Sequence, residues 1–160
     1  MDAKQLTQLV VRPTLQTLGL HSKAAEQLII GTIFQESRAK YLKQIGAGPA
    51  LGIIQMEPAT YHDIWKNYLG YKNELSSKVR TLASVGSFEG GYPNQFELVT
   101  NLAYAVAMCR IFYRRKPYAL PVEGDVAAMA EYWKVHYNTV LGAGTEEEFI
   151  ENFPNEILDC

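Results

Sequence analysis

The sequence predicts a mostly α fold. Apolar residues recur at helical spacing in one window after another, Ser, Thr and acidic residues stand where helices would begin, and Pro and Gly cluster between the windows. At 160 residues and 18.0 kDa the chain is long enough for one substantial core and too short for two, so residues 1–160 read as a single domain. Hydrophobic residues at 48% and charged residues at 20% exclude the signature of disorder.

Taken in order, Leu6, Leu9, Val10, Leu15 and Leu18 fall at helical spacing, and Pro13 is expected to break that run into two short pieces. Ser22 offers an N-cap and Glu26 a first-turn acid for a helix over 23–36, whose apolar positions include Leu28, Ile29, Ile33 and Phe34. Glycines and Pro49 make 41–52 a loop, followed by a short stretch from Ile53 to Met56. Pro58 then opens a helix with an aromatic stripe of Tyr61, Trp65 and Tyr68, continued by Leu69. Another helix is expected over 74–84, and Gly86, Gly90, Gly91 and Pro93 make 86–93 a flexible loop. The longest pattern, 94–115, carries Val99, Leu102, Ala103, Val106, Cys109 and Tyr113 on one face and predicts the central helix. Beyond Pro117 and Pro121 come a helix over 124–138 and a short acidic one near 145–152, begun by Thr145 with three glutamates in its first turn.

A net charge of -2 and a pI near 5.9 give no global attraction to nucleic acid or to an anionic membrane. The basic cluster of Arg110, Arg114, Arg115 and Lys116 reads as a solvated helix end whose cations complement the helix dipole. Cys109 lies in an apolar run and reads as core, Cys160 as a mobile terminal residue, and neither has metal-ligand or redox spacing. His21, His62 and His136 are too scattered for a zinc motif, and no Gly-rich phosphate loop is present. Met1 to Val10 lacks the apolar centre of a signal peptide, and no segment is long and apolar enough to predict membrane insertion.

Three separated pieces carry chemistry: Gln35-Glu36-Ser37, the segment Ala50-Leu51-Gly52-Ile53-Ile54-Gln55-Met56-Glu57-Pro58-Ala59-Thr60, and Tyr137-Asn138. In isolation each has an ordinary explanation. Glu36 would be a solvated helix end, Gln55 a polar loop residue, and Tyr137 a core aromatic with a satisfied hydroxyl. Their order, spacing and middle segment together are more specific. A carboxylate at a helix C-terminus is disfavoured by the dipole and has its pKa raised, as a general acid at near-neutral pH requires.

Together the pieces resemble the soluble lytic transglycosylase family of the lysozyme-like superfamily over residues 24–140. Its signature is Glu-Ser at a helix end, a Gly-Leu-Met-Gln-Ile-x-Pro-x-Thr segment further on, and a late Tyr-Asn. The resemblance implies a lysozyme-like helical domain around the 94–115 helix, and cleavage of peptidoglycan glycan strands with Glu36 as catalytic acid and base. It further implies that Gln55 lines the glycan groove, that Tyr137 hydrogen-bonds near the acid, and that Asn138 holds the backbone around it. In the family mechanism one Glu suffices, the product ends in 1,6-anhydromuramic acid, and no cofactor enters. A compact domain of this kind without a leader implies, by analogy, a phage or prophage enzyme. It would reach the periplasmic wall either released at lysis or carried in the virion beside tail or other virion proteins.

The chain also departs from that pattern. Gly46-Ala47-Gly48-Pro49-Ala50 lacks the family serine that contacts substrate, Ile53-Ile54 replaces Leu-Met, and Tyr137-Asn138-Thr139-Val140 lacks the usual following glycine. Glu57 stands where the family has a methionine facing the groove. It reads first as an N-terminal acid before Pro58 and second as a substrate-binding or catalytic carboxylate in a lysozyme-type hydrolase. Tyr61, Trp65, Tyr132 and Trp133 offer flat faces for a sugar, although aromatics at helical spacing equally fit a core. Two rival readings stay open: a structural or glycan-binding component with little catalysis, and a helical interaction module in which the motifs are fortuitous.

Overall fold

The structure, a computed structural model, describes residues 1–138 and 142–160. It is mostly helical, with one small two-stranded sheet among the described residues. Asp2 caps α1 (Ala3–Leu6) by accepting the Gln5 N–H at 2.8 Å. The expected break at Pro13 does not occur. A wide π turn over Thr7–Val11 leads directly into α2 (Arg12–Leu18), and the Arg12 N–H reaches back to the Thr7 carbonyl. Proline lacks an N–H and crowds the carbonyl four residues earlier, and widening the preceding turn accommodates both without ending the helix.

Helix α3 (Lys23–Ser37) begins at Ser22, whose hydroxyl accepts the Ala25 N–H at 3.0 Å, and is buried on nearly every side from Ala25 to Ile33. Arg12 donates twice to the buried Glu26, at 2.7 and 2.9 Å, which ties α2 to α3. Helix α4 (Pro58–Asn67) packs its aromatic stripe inward. Trp65 Nε1 donates to the Tyr104 hydroxyl at 3.0 Å, and the Tyr61 hydroxyl lies 2.6 Å from it and donates to the Pro93 carbonyl. These aromatics are core, as are Tyr132 and Trp133, so the reading of the four as flat sugar-facing surfaces is corrected. Their rings bury too much apolar area to be left at the surface.

After α5 (Asn73–Thr81), the segment expected as a flexible loop forms a turn and a hairpin, β1 (Phe88–Glu89) against β2 (Tyr92–Pro93). Gly90 and Gly91, with φ of 66° and 99°, supply the left-handed residues that a tight hairpin needs. The expected helix 94–115 is split into α6 (Glu97–Thr100) and α7 (Leu102–Arg114). Asn101 stands extended between them and caps α7 by accepting the Tyr104 N–H at 3.0 Å. An apolar spacing continuous in sequence conceals such a break, because the cap acts through one polar side chain and leaves the apolar positions on either side where they stand in the string.

Helix α7 is buried from Tyr104 to Tyr113 and meets α3 through Thr32 and Tyr113, whose hydroxyls lie 2.8 Å apart. The expected helix over 124–138 appears as α8 (Val126–Trp133) followed by a π turn over Lys134–Asn138. Helix α9 (Glu146–Asn152) starts at Thr145, as its cap predicts, and packs on α3 at Gly31, where a Cβ would come within 2.5 Å of Phe149.

The basic cluster is not one solvated end. Arg110 is buried and donates to the Leu20 carbonyl at 3.2 Å, while Arg115 pairs with Asp63 at 2.8 Å. Cys109 is core, and Cys160 is held rather than loose, with Lys23 on its carbonyl and Gln8 on its sulfur. Among the described residues no helix is long and apolar enough to cross a membrane.

Candidate active site

Helix α3 ends at Ser37 because Arg38 and Ala39 both take left-handed backbone, with φ of 55° and 52°. Chain reversal there brings the segment after Ala50 back against the helix end. Short antiparallel bridges join Lys43 to Leu51 and Leu51 to Met56, and within them Gly52 and Gln55 adopt φ of 76° and 50°. A Cβ at Gly52 would run into the Leu98 carbonyl, so glycine is required there twice over, by conformation and by space.

Successive carbonyls of this turn are claimed by side chains from the three sequence motifs. Gln55 Nε2 donates to Gly52 O at 2.9 Å, Ser37 Oγ to Ile53 O at 2.6 Å, and Tyr137 Oη to Ile54 O at 2.6 Å. Buried carbonyls need donors, and these three bonds hold the end of α3, the turn and the π turn after α8 together. Tyr137 therefore hydrogen-bonds to the turn that Ser37, the residue after Glu36, also engages. Gln55 turns its amide back on its own turn. Ser37, to which sequence reasoning gave no role of its own, is the buried pin of the arrangement.

Glu36 sits half-buried one residue before Ser37, and Trp133 Nε1 donates to its Oε1 at 2.9 Å. Burial pushes the carboxyl up to about 7, and the indole N–H, which favours the ionised form, pulls it partly back. Trp133 itself is fully buried and lies against Phe149 with ring centroids 5.5 Å apart. No motif marked this indole as the partner of the acid. The available signal was one buried Trp in the helix just before Tyr137. Burial holds the Tyr137 hydroxyl well above its ordinary value, so it remains a neutral donor.

Glu36, Gln55, Glu57, Tyr137 and Asn138 all line one cleft of about 530 Å³, with Phe112 and Met56 as apolar surface and Gln44, Thr60 and the Gly142–Gly144 segment completing its walls. Glu57 is exposed at the N-cap position of α4, yet its side chain accepts no cap hydrogen bond, contrary to a purely capping role. Asn138 Oδ1 accepts from Lys134 Nζ at 2.8 Å, so its described bond is to that ammonium rather than to the backbone around Tyr137. Thr139 and Val140, where the chain departs from the glycine-bearing pattern, lie outside the described residues. The loop tip at Gly46–Ala47 is exposed, while Ala50 is buried and donates its N–H to Gln44 Oε1 at 3.2 Å.

Among the described residues, no three His, Cys, Asp or Glu side chains are gathered so as to hold a metal ion. The arrangement can hold an extended polar ligand against a carboxyl whose protonated and ionised forms are comparably populated near neutral pH. Comparison of the chain with protein families, with curated proteins and with solved structures finds no match in any of the three.

Proposed function

We propose that the chain is a peptidoglycan lytic transglycosylase of lysozyme-like type, with Glu36 as both general acid and general base. The observation that carries the proposal is a half-buried carboxyl with a pKa of about 7, opening into a cleft that the other motif residues also line. A glycosidic oxygen is a poor leaving group and needs a proton as its bond to the anomeric carbon breaks. A carboxyl balanced near 7 can donate that proton and accept one afterwards. In the mechanism that the family resemblance implies, the substrate's N-acetyl group stabilises the positive charge at the anomeric carbon. Glu36 then removes the proton of the muramoyl 6-hydroxyl, whose oxygen closes on that carbon to give the 1,6-anhydro end. Gln55, Tyr137 and Asn138 shape the cleft, and Glu57 contributes a polar contact at its edge.

Glu57 also favours a second reading, because hydrolases that retain or invert configuration work with two carboxylates and Glu57 lines the same cleft without a capping bond. Digestion of purified sacculi with mass spectrometry of the unreduced muropeptides separates the two. Ends lighter by one water than hydrolysed ends, absent with the Glu36→Gln protein, support the transglycosylase. Reducing ends lost on Glu57→Gln identify the hydrolase, and intact sacculi with bound protein identify a glycan-binding component. A phage or prophage origin, with action on the periplasmic wall at lysis or from a virion beside tail proteins, belongs to this proposal as analogy alone.

A further inference from the structure

Lys134 follows Trp133 directly and opens the π turn that carries Tyr137 and Asn138. Its ammonium has three hydrogens and meets three oxygens: Asn138 Oδ1 at 2.8 Å, Gly142 O at 2.9 Å and Gly144 O at 2.6 Å. A cation so engaged is built into the protein rather than solvated. Close backbone approach seats the same segment independently. A Cβ at Gly142 would collide with the Asn138 amide and carbonyl, and one at Gly144 would come within 2.6 Å of the Trp133 ring and 3.2 Å of the Gln35 amide. Asn138, Gly142, Ala143 and Gly144 all line the cleft.

We propose that Lys134 is a positioning residue for glycan binding. It draws Asn138 and the Gly142–Gly144 backbone into one wall and orients the Asn138 amide. With Oδ1 held by the ammonium, the NH₂ group is turned away from it, as a donor suited to a hydroxyl or N-acetyl oxygen of an uncharged sugar. The inference rests on the glycan reading of the cleft. Proton transfer is a separate matter, because Trp133 is fully buried and keeps its own bond to Glu36. Loss of the ammonium therefore acts on KM and leaves the pH dependence set by Glu36 in place.

Lys134→Met keeps an unbranched stem and removes the ammonium. Misplacement of a binding wall costs about tenfold or more, so chitohexaose should bind the Glu36→Gln, Lys134→Met protein about tenfold more weakly than Glu36→Gln alone by calorimetry. In the active protein KM should rise in parallel, kcat should stay within about threefold, and the pH midpoints should not move. Hydrogen exchange at the Ala143 and Gly144 amides should quicken. Gly142→Ala, which pushes the segment off Asn138, should give the same pattern and serves if Lys134→Met does not fold. Chitohexaose binding by the parent that both folded variants retain overturns this inference alone. No chitohexaose binding by the parent removes the glycan reading and this inference with it.

Discussion

Glu36→Gln should remove the loss of stability that the native protein suffers between acid and alkaline pH, a consequence that needs no substrate. An ordinary glutamate titrates at 4.5, whereas Glu36 titrates at about 7 in the folded chain because burial disfavours its charged form. Below pH 4.5 the folded and unfolded chains both hold the proton, and the residue contributes nothing. Between 4.5 and about 7 the folded chain holds more protons than the unfolded one, so stability falls as pH rises; above about 7 the loss is complete. At about 1.4 kcal/mol per pH unit the full penalty is on the order of 3 kcal/mol. For a chain of this length that corresponds to about 6–12 °C in Tm. Glutamine cannot ionise, yet its carbonyl oxygen still accepts the Trp133 N–H, so the variant escapes the pH-dependent part. Any cost of burying the amide is the same at every pH. Thermal or urea unfolding of both proteins from pH 4 to 9 measures the difference, and parallel stability curves across that range would refute the assignment of a strongly raised carboxyl at Glu36.

Three further outcomes are expected. Trp133→Phe removes the donor that favours ionised Glu36, and loss of a hydrogen bond to a charged group should move the alkaline limb of the pH–rate profile up by about one pH unit. An unmoved or lowered limb in a folded variant would show that the indole does not tune the acid. Tyr137→Phe leaves the Ile54 carbonyl without its side-chain donor, and Gln55→Ala removes the amide from the cleft wall and leaves the Gly52 carbonyl only the Gln55 backbone N–H at 3.0 Å, so each should reduce turnover by about tenfold, against at least about 10²-fold for Glu36→Gln; steady-state kinetics on solubilised glycan checks the order. Gly52→Ala forces a side chain into left-handed backbone against the Leu98 carbonyl and should cost about 2–4 kcal/mol, seen as a lowered denaturation midpoint.

Local chemistry determined much of this protein before any tertiary contact was considered. Ser22, Pro58 and Thr145 begin helices where they stand, since a cap or a fixed φ acts on the few residues beside it. Glu36, Gln55 and Tyr137 were legible as a group because order and spacing survive in a linear string. Asn101 and Pro13 show the limit of periodicity, which records apolar spacing along the string and does not register an extended capping residue or a widened π turn within it. The aromatics show another limit, for spacing puts Tyr61, Trp65 and Trp133 on helix faces without saying which face meets solvent. Only the tertiary structure decided that Trp133 donates to Glu36, that Ser37 and Tyr137 claim adjacent carbonyls of one turn, and that Lys134 ties Asn138 to Gly142 and Gly144. The partners of Glu36, Ser37 and Tyr137 lie 97, 16 and 83 positions away in the chain, whereas the Lys134 bonds join residues no more than ten positions apart. Such hydrogen bonds, and the burial that raises the Glu36 carboxyl, come into existence only when packing brings those segments together and excludes water between them.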